Sequence, residues 1–94
     1  MAAMSAGEVQ TALASLPGWA GDAMAIRKTF TFPSFPAAIA FVNRAAELAE
    51  QAQHHPDIDI RYNRVAITLS THDAGGVTEK DLDLARKLES AAAG

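Results

Sequence analysis

Apolar residues recur along this chain in two periods, and the switches between periods divide it into elements. After Ser5, the residues Val9, Leu13 and Leu16 form one stripe at helical spacing. "SAGE" at 5–8 reads as a capping box, with Ser5 as the cap and Glu8 reaching back to it. "PG" at Pro17 and Gly18 ends this first helix. A period of two follows: Met24, Ile26, Phe30 and Phe32 share one parity, Lys28 being the exception. Gly21 and Asp22 mark a turn between that strand, Met24 to Phe32, and a short one near Trp19.

The helical period returns after "FPSFP", where Ser34 or Phe35 precedes a proline suited to a first turn, Pro36. Phe35, Ala38, Ile39, Val42, Ala46 and Ala49 make the expected core stripe of this second helix. Phe41, Ala45 and Leu48 make a second apolar strip, which suits a partner subunit. Asn43, Glu47, Glu50 and His54 make one polar stripe. Residues 58–70 read as a hairpin turning at Asn63 and Arg64. That turn pairs Tyr62 with Val65, Ile60 with Ile67 and Ile58 with Leu69, so all six face one side. A third helix begins at Thr78, with Val77 and Leu82 placed as a hydrophobic staple and Asp81 as a capping-box acid. Leu84, Leu88 and Ala91 line one side of it. The order α-β-β-α-β-β-α predicts a two-layer α+β fold, a four-stranded antiparallel sheet with three helices on one face.

Composition narrows the function classes. Ninety-four residues suit one domain, 1–94, and 49% hydrophobic content suits a folded one. The net charge of −3 is scattered, which speaks against nucleic acid and a membrane surface as partners. With no cysteine, disulfides and thiolate metal sites are excluded. "MAAMSAGE" has neither a basic n-region nor an apolar h-region, so a cytoplasmic location is expected.

The chemistry concentrates in "EQAQHHPDIDIRYN", residues 50–63, which holds two of the three histidines. Extended toward its open end, the predicted hairpin register sets His55 opposite His72; Pro56 distorts the ladder there, so proximity is expected rather than a pair. Glu50 lies one helical turn before His54. Singly, these residues have plainer explanations: a histidine favoured by a helix C-terminus, Pro56 as a helix stop, Asp81 as a cap, Trp19 as core, "DAGGVT" as a loop. Three imidazoles and a carboxylate on one sheet end outweigh them. Two chemistries fit, and spacing does not separate them. Glu50, His54 and His72 suit a two-histidine, one-carboxylate metal site. The same imidazoles suit proton transfer near neutral pH.

The run of Glu50, three residues, His54-His55-Pro56, five residues, Tyr62, nine residues, His72, eight residues and Asp81 resembles the signature of the pterin-4a-carbinolamine dehydratases. "YNRVAITLSTHDAGG", "LPGW" and "FTFPSFPAAIAFVNR" resemble that family too. The resemblance implies the same four-stranded, three-helix fold. It implies dehydration of 4a-hydroxytetrahydropterin to quinonoid dihydropterin without metal or cofactor, recycling the pterin of an aromatic amino-acid hydroxylase system. It implies His54 and His72 as the acid/base pair, His55 as chiefly a substrate holder, and Glu50 as the group orienting His54. Gln53-His54-His55 and Ser70-Thr71-His72-Asp73 become the pterin-binding segments, with Trp19 covering the flat ring and Asp81 supporting the site. One departure is Gln53, which stands where animal relatives carry aspartate. Animal members also bind a homeodomain transcription factor, and nothing in this sequence supports carrying that role over. A non-catalytic protein-binding module on the same fold is the alternative, and a homo-oligomer, dimer or tetramer, is expected either way.

Overall fold

The structure, a computed structural model, describes residues 2–93. Helix α1 (Ala6–Leu13) carries the predicted capping box: Ser5 Oγ accepts from the Glu8 N–H at 3.2 Å, and Glu8 Oε1 accepts from the Ser5 N–H at 2.8 Å. The helix stops at Leu13, ahead of Pro17 and Gly18. Bonds from Ser15 to Ala12, Leu16 to Leu13 and Trp19 to Leu16 tighten the chain into i→i+3 turns that still carry Leu16 inward.

Four antiparallel strands follow in the spatial order β1-β2-β4-β3: β1 (Ala20–Gly21), β2 (Ile26–Thr31), β3 (Asp57–Arg61) and β4 (Arg64–Leu69). Between β1 and β2 the Asp22 carboxylate accepts from the Met24 and Ala25 N–H groups, closing a tight turn. Met24, expected to face inward, belongs to that turn and is exposed. Gly21 has φ +146°, and a Cβ there would collide with the Ala25 carbonyl, so glycine is required.

The β3–β4 register differs from the predicted one. Ile58 pairs with Ile67 and Ile60 with Val65, around a turn at Tyr62 and Asn63. Asn63 is fixed from outside the hairpin: its amide donates to the Phe32 carbonyl at 2.8 Å, and its own carbonyl accepts from the Phe32 N–H at 2.9 Å. Tyr62 takes φ +55° and is 71% exposed instead of pairing with Val65. The turn moves by one residue, so each pairing moves by two. Parity is preserved, and the apolar residues stay on one face.

Helix α2 (Phe35–Ala52) and helix α3 (Glu79–Ala93) cover that face together with α1. Val9, Ala38, Phe41, Ala45, Leu48, Leu82, Leu84 and Leu88 are buried against Ile26, Phe30, Val65, Ile67 and Leu69. The two apolar strips of α2 exchange their predicted roles. Phe41, Ala45 and Leu48 face the core with Ala38 and Ala49, whereas Phe35 is 46% exposed, Ile39 and Val42 are half-buried, and Ala46 is exposed. Aromatic packing selects this rotation: the Phe41 ring sits 4.8 Å from Phe30 and 5.0 Å from Phe32.

Candidate active site

Antiparallel pairing brings the beginnings of β2 and β3 and the end of β4 to one end of the sheet. There the C-terminus of α2 meets the N-terminus of α3, and His54 meets Asp81.

Helix α2 ends in a Schellman motif. The Gln53 N–H donates to the Glu50 carbonyl, and the His54 N–H reaches back to the Ala49 carbonyl at 3.0 Å. Gln53 itself is left-handed, with φ +50° and ψ +44°. In this motif the residue after the left-handed one usually packs an apolar side chain against the last turn. Here that position is His54, and its ring is turned into the protein, only 8% exposed.

His54 Nε2 bonds Asp81 Oδ1. Asp81 is 0% exposed and occupies the first turn of α3, where its other oxygen, Oδ2, accepts from the Thr78 N–H at 2.9 Å and from the Thr71 hydroxyl at 2.8 Å. Both Asp81 and Thr78 thus serve the predicted cap, while the carboxylate also holds His54. The helix termini reinforce this pair, since the negative end of α2 lies beside the imidazole and the positive end of α3 beside the carboxylate. No buried side-chain polar atom among the described residues lacks a partner, as a buried polar pair requires.

Glu50 does not orient His54. Its Oε2 meets His55 Nε2 at 2.9 Å, because the left-handed Gln53 reverses the chain and sends His54 inward while His55 folds back over the last turn. The Glu50–His54–His72 metal triad is accordingly not assembled: Glu50 is paired with His55 and His54 with Asp81. His72 lies in a short 3₁₀ turn (His72–Ala74) pinched by a bridge between Thr71 and Gly76. The observed hairpin register sets His55 toward Ser70 rather than His72. His72 still arrives at the junction, because it follows Thr71, whose hydroxyl bonds the carboxylate that holds His54. Ser70 anchors this corner through its hydroxyl, which donates to the Met24 carbonyl at 2.6 Å. His72, Asp73, His55 and Gln53 are exposed around the buried His54–Asp81 pair.

Trp19 lies elsewhere. Its ring is 5% exposed, packs edge-on against Phe30 and donates its N–H to Glu89 at 2.9 Å. Glu89 is eight residues beyond Asp81, about 12 Å along the helix axis. The ring already has protein on its faces, so it covers no ligand here. A groove of about 750 Å³ also lies away from the junction, between α2 and α3, with Phe32, Phe41, Arg44 and Lys87 among its walls. Its lining contains no histidine or carboxylate.

The junction thus holds a hydrogen-bonded histidine at the end of one helix and its aspartate partner at the start of another, with His55 and His72 exposed. Residues 2–91 match the pterin 4 alpha carbinolamine dehydratase family. The chain belongs to that family. A protein of Thermomicrobium roseum, provisionally named a pterin-4-alpha-carbinolamine dehydratase, is 53% identical over 88 residues, covering 94% of this chain and 95% of the relative. One of Roseiflexus castenholzii with the same provisional name is 57% identical over 82 residues, covering 87% and 88%. Among solved structures, a transcriptional coactivator/pterin dehydratase from Brucella melitensis superposes with a TM-score of 0.90 at 41% identity, over 95% of this chain and 97% of that one. A pterin dehydratase-like protein described as a RuBisCO assembly factor of the alpha-carboxysome superposes at 0.66 with 27% identity, over 79% and 86%. Among the described residues of this dehydratase-family chain, no helix is long and apolar enough to cross a membrane.

One member of the site escaped the sequence pattern as a site residue, Thr78, which was marked only as the start of a helix. Thr71, expected in a pterin-binding segment, and Thr78 are bonded to one another at 2.8 Å and flank the Asp81 carboxylate. The signal for Thr78 was the capping box, which places it beside Asp81.

Proposed function

We propose that this chain dehydrates a 4a-hydroxytetrahydropterin to the quinonoid dihydropterin, recycling the cofactor of an aromatic amino-acid hydroxylase system. The observation that carries the reading is the buried His54–Asp81 pair beside two exposed histidines. In the reaction the C4a–O bond breaks and its electrons leave with oxygen, which takes a proton and departs as water. N5 loses its proton, and the electrons of that bond become the C4a=N5 double bond. One proton is given and one taken, so an acid and a base suffice. His54 and His72 are assigned that exchange, each contributing on the order of 10²–10⁴-fold. His55, tethered to Glu50, holds substrate with Gln53, Ser70 and Asp73. The test is decay of 4a-hydroxytetrahydropterin with purified protein. Faster decay than in buffer that is lost in His54→Ala with His72→Ala supports the reading; decay at the buffer rate overturns it.

A second reading, a protein-binding role, has its own support. One structural relative is described as a transcriptional coactivator and another as an assembly factor. Self-association is proposed in either case, through the half-exposed Ile39 and Val42 of α2 or the β3 edge. A pull-down that retains a protein partner, with no acceleration of pterin decay, favours the binding role. A monomer-sized sedimentation profile at micromolar concentration counts against self-association.

A further inference from the structure

Thr71 has no hydrogen-bond donor left for a ligand. Its N–H donates to the Gly76 carbonyl at 3.0 Å, and its carbonyl accepts from Ala74, Gly75 and Gly76. Its hydroxyl proton goes to Asp81 Oδ2. The hydroxyl–hydroxyl bond to Thr78 must then run the other way, because a threonine has one proton to give. Thr78 donates to Thr71 Oγ1 and accepts from the Lys80 N–H at 3.2 Å. The protons therefore run in one direction, from the Lys80 amide through Thr78 and Thr71 to the carboxylate. The Thr78 N–H donates a second bond to Oδ2. The two donors at Oδ2 exclude a proton on that oxygen, and as a carboxylate Asp81 offers His54 only an acceptor at Oδ1. The proton between Oδ1 and His54 then belongs to Nε2.

We infer that Thr71, backed by Thr78, is a positioning residue that fixes His54 in the tautomer protonated at Nε2, leaving Nδ1 as the proton acceptor of the dehydration. This rests on the dehydratase reading for its chemical step. Nδ1 takes the N5 proton, and the proton for the departing hydroxyl comes from a second group. The sequence motif suggested Thr71 as a substrate contact; its bonds make it a brace for Asp81.

Nitrogen-15 spectra of the histidine rings at neutral pH test the tautomer directly, whether or not the protein is a dehydratase. The expected wild-type His54 signals are those of a protonated Nε2 and a bare Nδ1; the reverse pattern overturns the inference. Thr71→Val keeps the shape and removes the hydroxyl. It is expected to mix the two ring tautomers and to lower kcat roughly ten- to a hundredfold, with KM within about twofold. Thr71→Ser is expected to restore both, and Thr71→Ala repeats the loss with a smaller side chain. Unchanged ring signals and kcat in Thr71→Val overturn the positioning role, as does a rise in KM alone. If the wild type fails to accelerate pterin decay, the dehydratase reading falls while the ring spectra still decide the tautomer.

Discussion

His54 and Asp81, 27 residues apart, meet where one helix ends and another begins. The imidazole occupies the place of an apolar helix-stop residue, and the carboxylate occupies the place of a capping acid. Each is a structural position put to chemical use, and the two helix termini supply field of the matching sign on each side.

Asp81→Asn separates charge from shape. The amide oxygen can replace Oδ2 and accept from Thr71 and Thr78, which turns the amide N–H₂ toward His54. The ring must then accept at Nε2 and carry its proton on Nδ1. The expected result is a folded protein destabilised by about 1–3 kcal/mol, with kcat lowered on the order of 10²–10⁴-fold. A denaturant titration and the pterin assay measure the two, and full activity would remove Asp81 from the mechanism.

Gln53 sits in a left-handed conformation that glycine adopts freely. Gln53→Gly is expected to remove about 1 kcal/mol or more of left-handed strain, partly offset by the greater freedom of the unfolded chain. A raised denaturation midpoint with an unchanged slope would bear this out; a lowered one would mean that the Gln53 side chain contributes more than its backbone loses.

The rotation of α2 is tested by a pair of truncations. Phe41→Ala empties a buried space between Phe30 and Phe32 and is expected to cost about 3–5 kcal/mol. Phe35→Ala removes a ring that is nearly half exposed and should cost well under half of that. Equal losses would contradict the observed rotation.

The α1 capping box responds to acid. The Ser5 N–H, and then the Ser5 hydroxyl, hold the Glu8 carboxyl below its ordinary 4.5. A folded-state value lower than the unfolded one stabilises the helix start above pH 4.5, and that contribution disappears as pH falls through the folded value. The Ser5 amide resonance should therefore titrate with a midpoint below 4.5, and Glu8→Gln should abolish that titration. A midpoint at or above 4.5 would show that the bond does not favour the ionised form.

The Glu50–His55 pair is of a different kind. With side chains 78% and 70% exposed, it is worth at most about 1 kcal/mol and weakens with salt. Its place at the rim suits substrate holding better than support of the fold.

Local chemistry was readable along the chain because it depends on neighbours in sequence. The Ser5–Glu8 box, the proline after Ser34, the Val77–Leu82 staple and the parity of the β3–β4 hairpin all follow from spacings of a few residues. The motif from Glu50 to Asp81 likewise marked His54, His55 and His72 as one group. Tertiary contacts decided what spacing left degenerate. Two apolar strips on α2 were equivalent until the rings of Phe30 and Phe32 chose Phe41. The hairpin turn had two placements of equal parity until Phe32 bound Asn63. Glu50 had two histidines in reach until a left-handed Gln53 sent His54 inward to Asp81 and left His55 outside. The sequence by itself determined which residues could do chemistry and at which end of the sheet; the tertiary structure decided which histidine holds which carboxylate, because a single reversed backbone torsion exchanges partners that sequence spacing cannot tell apart.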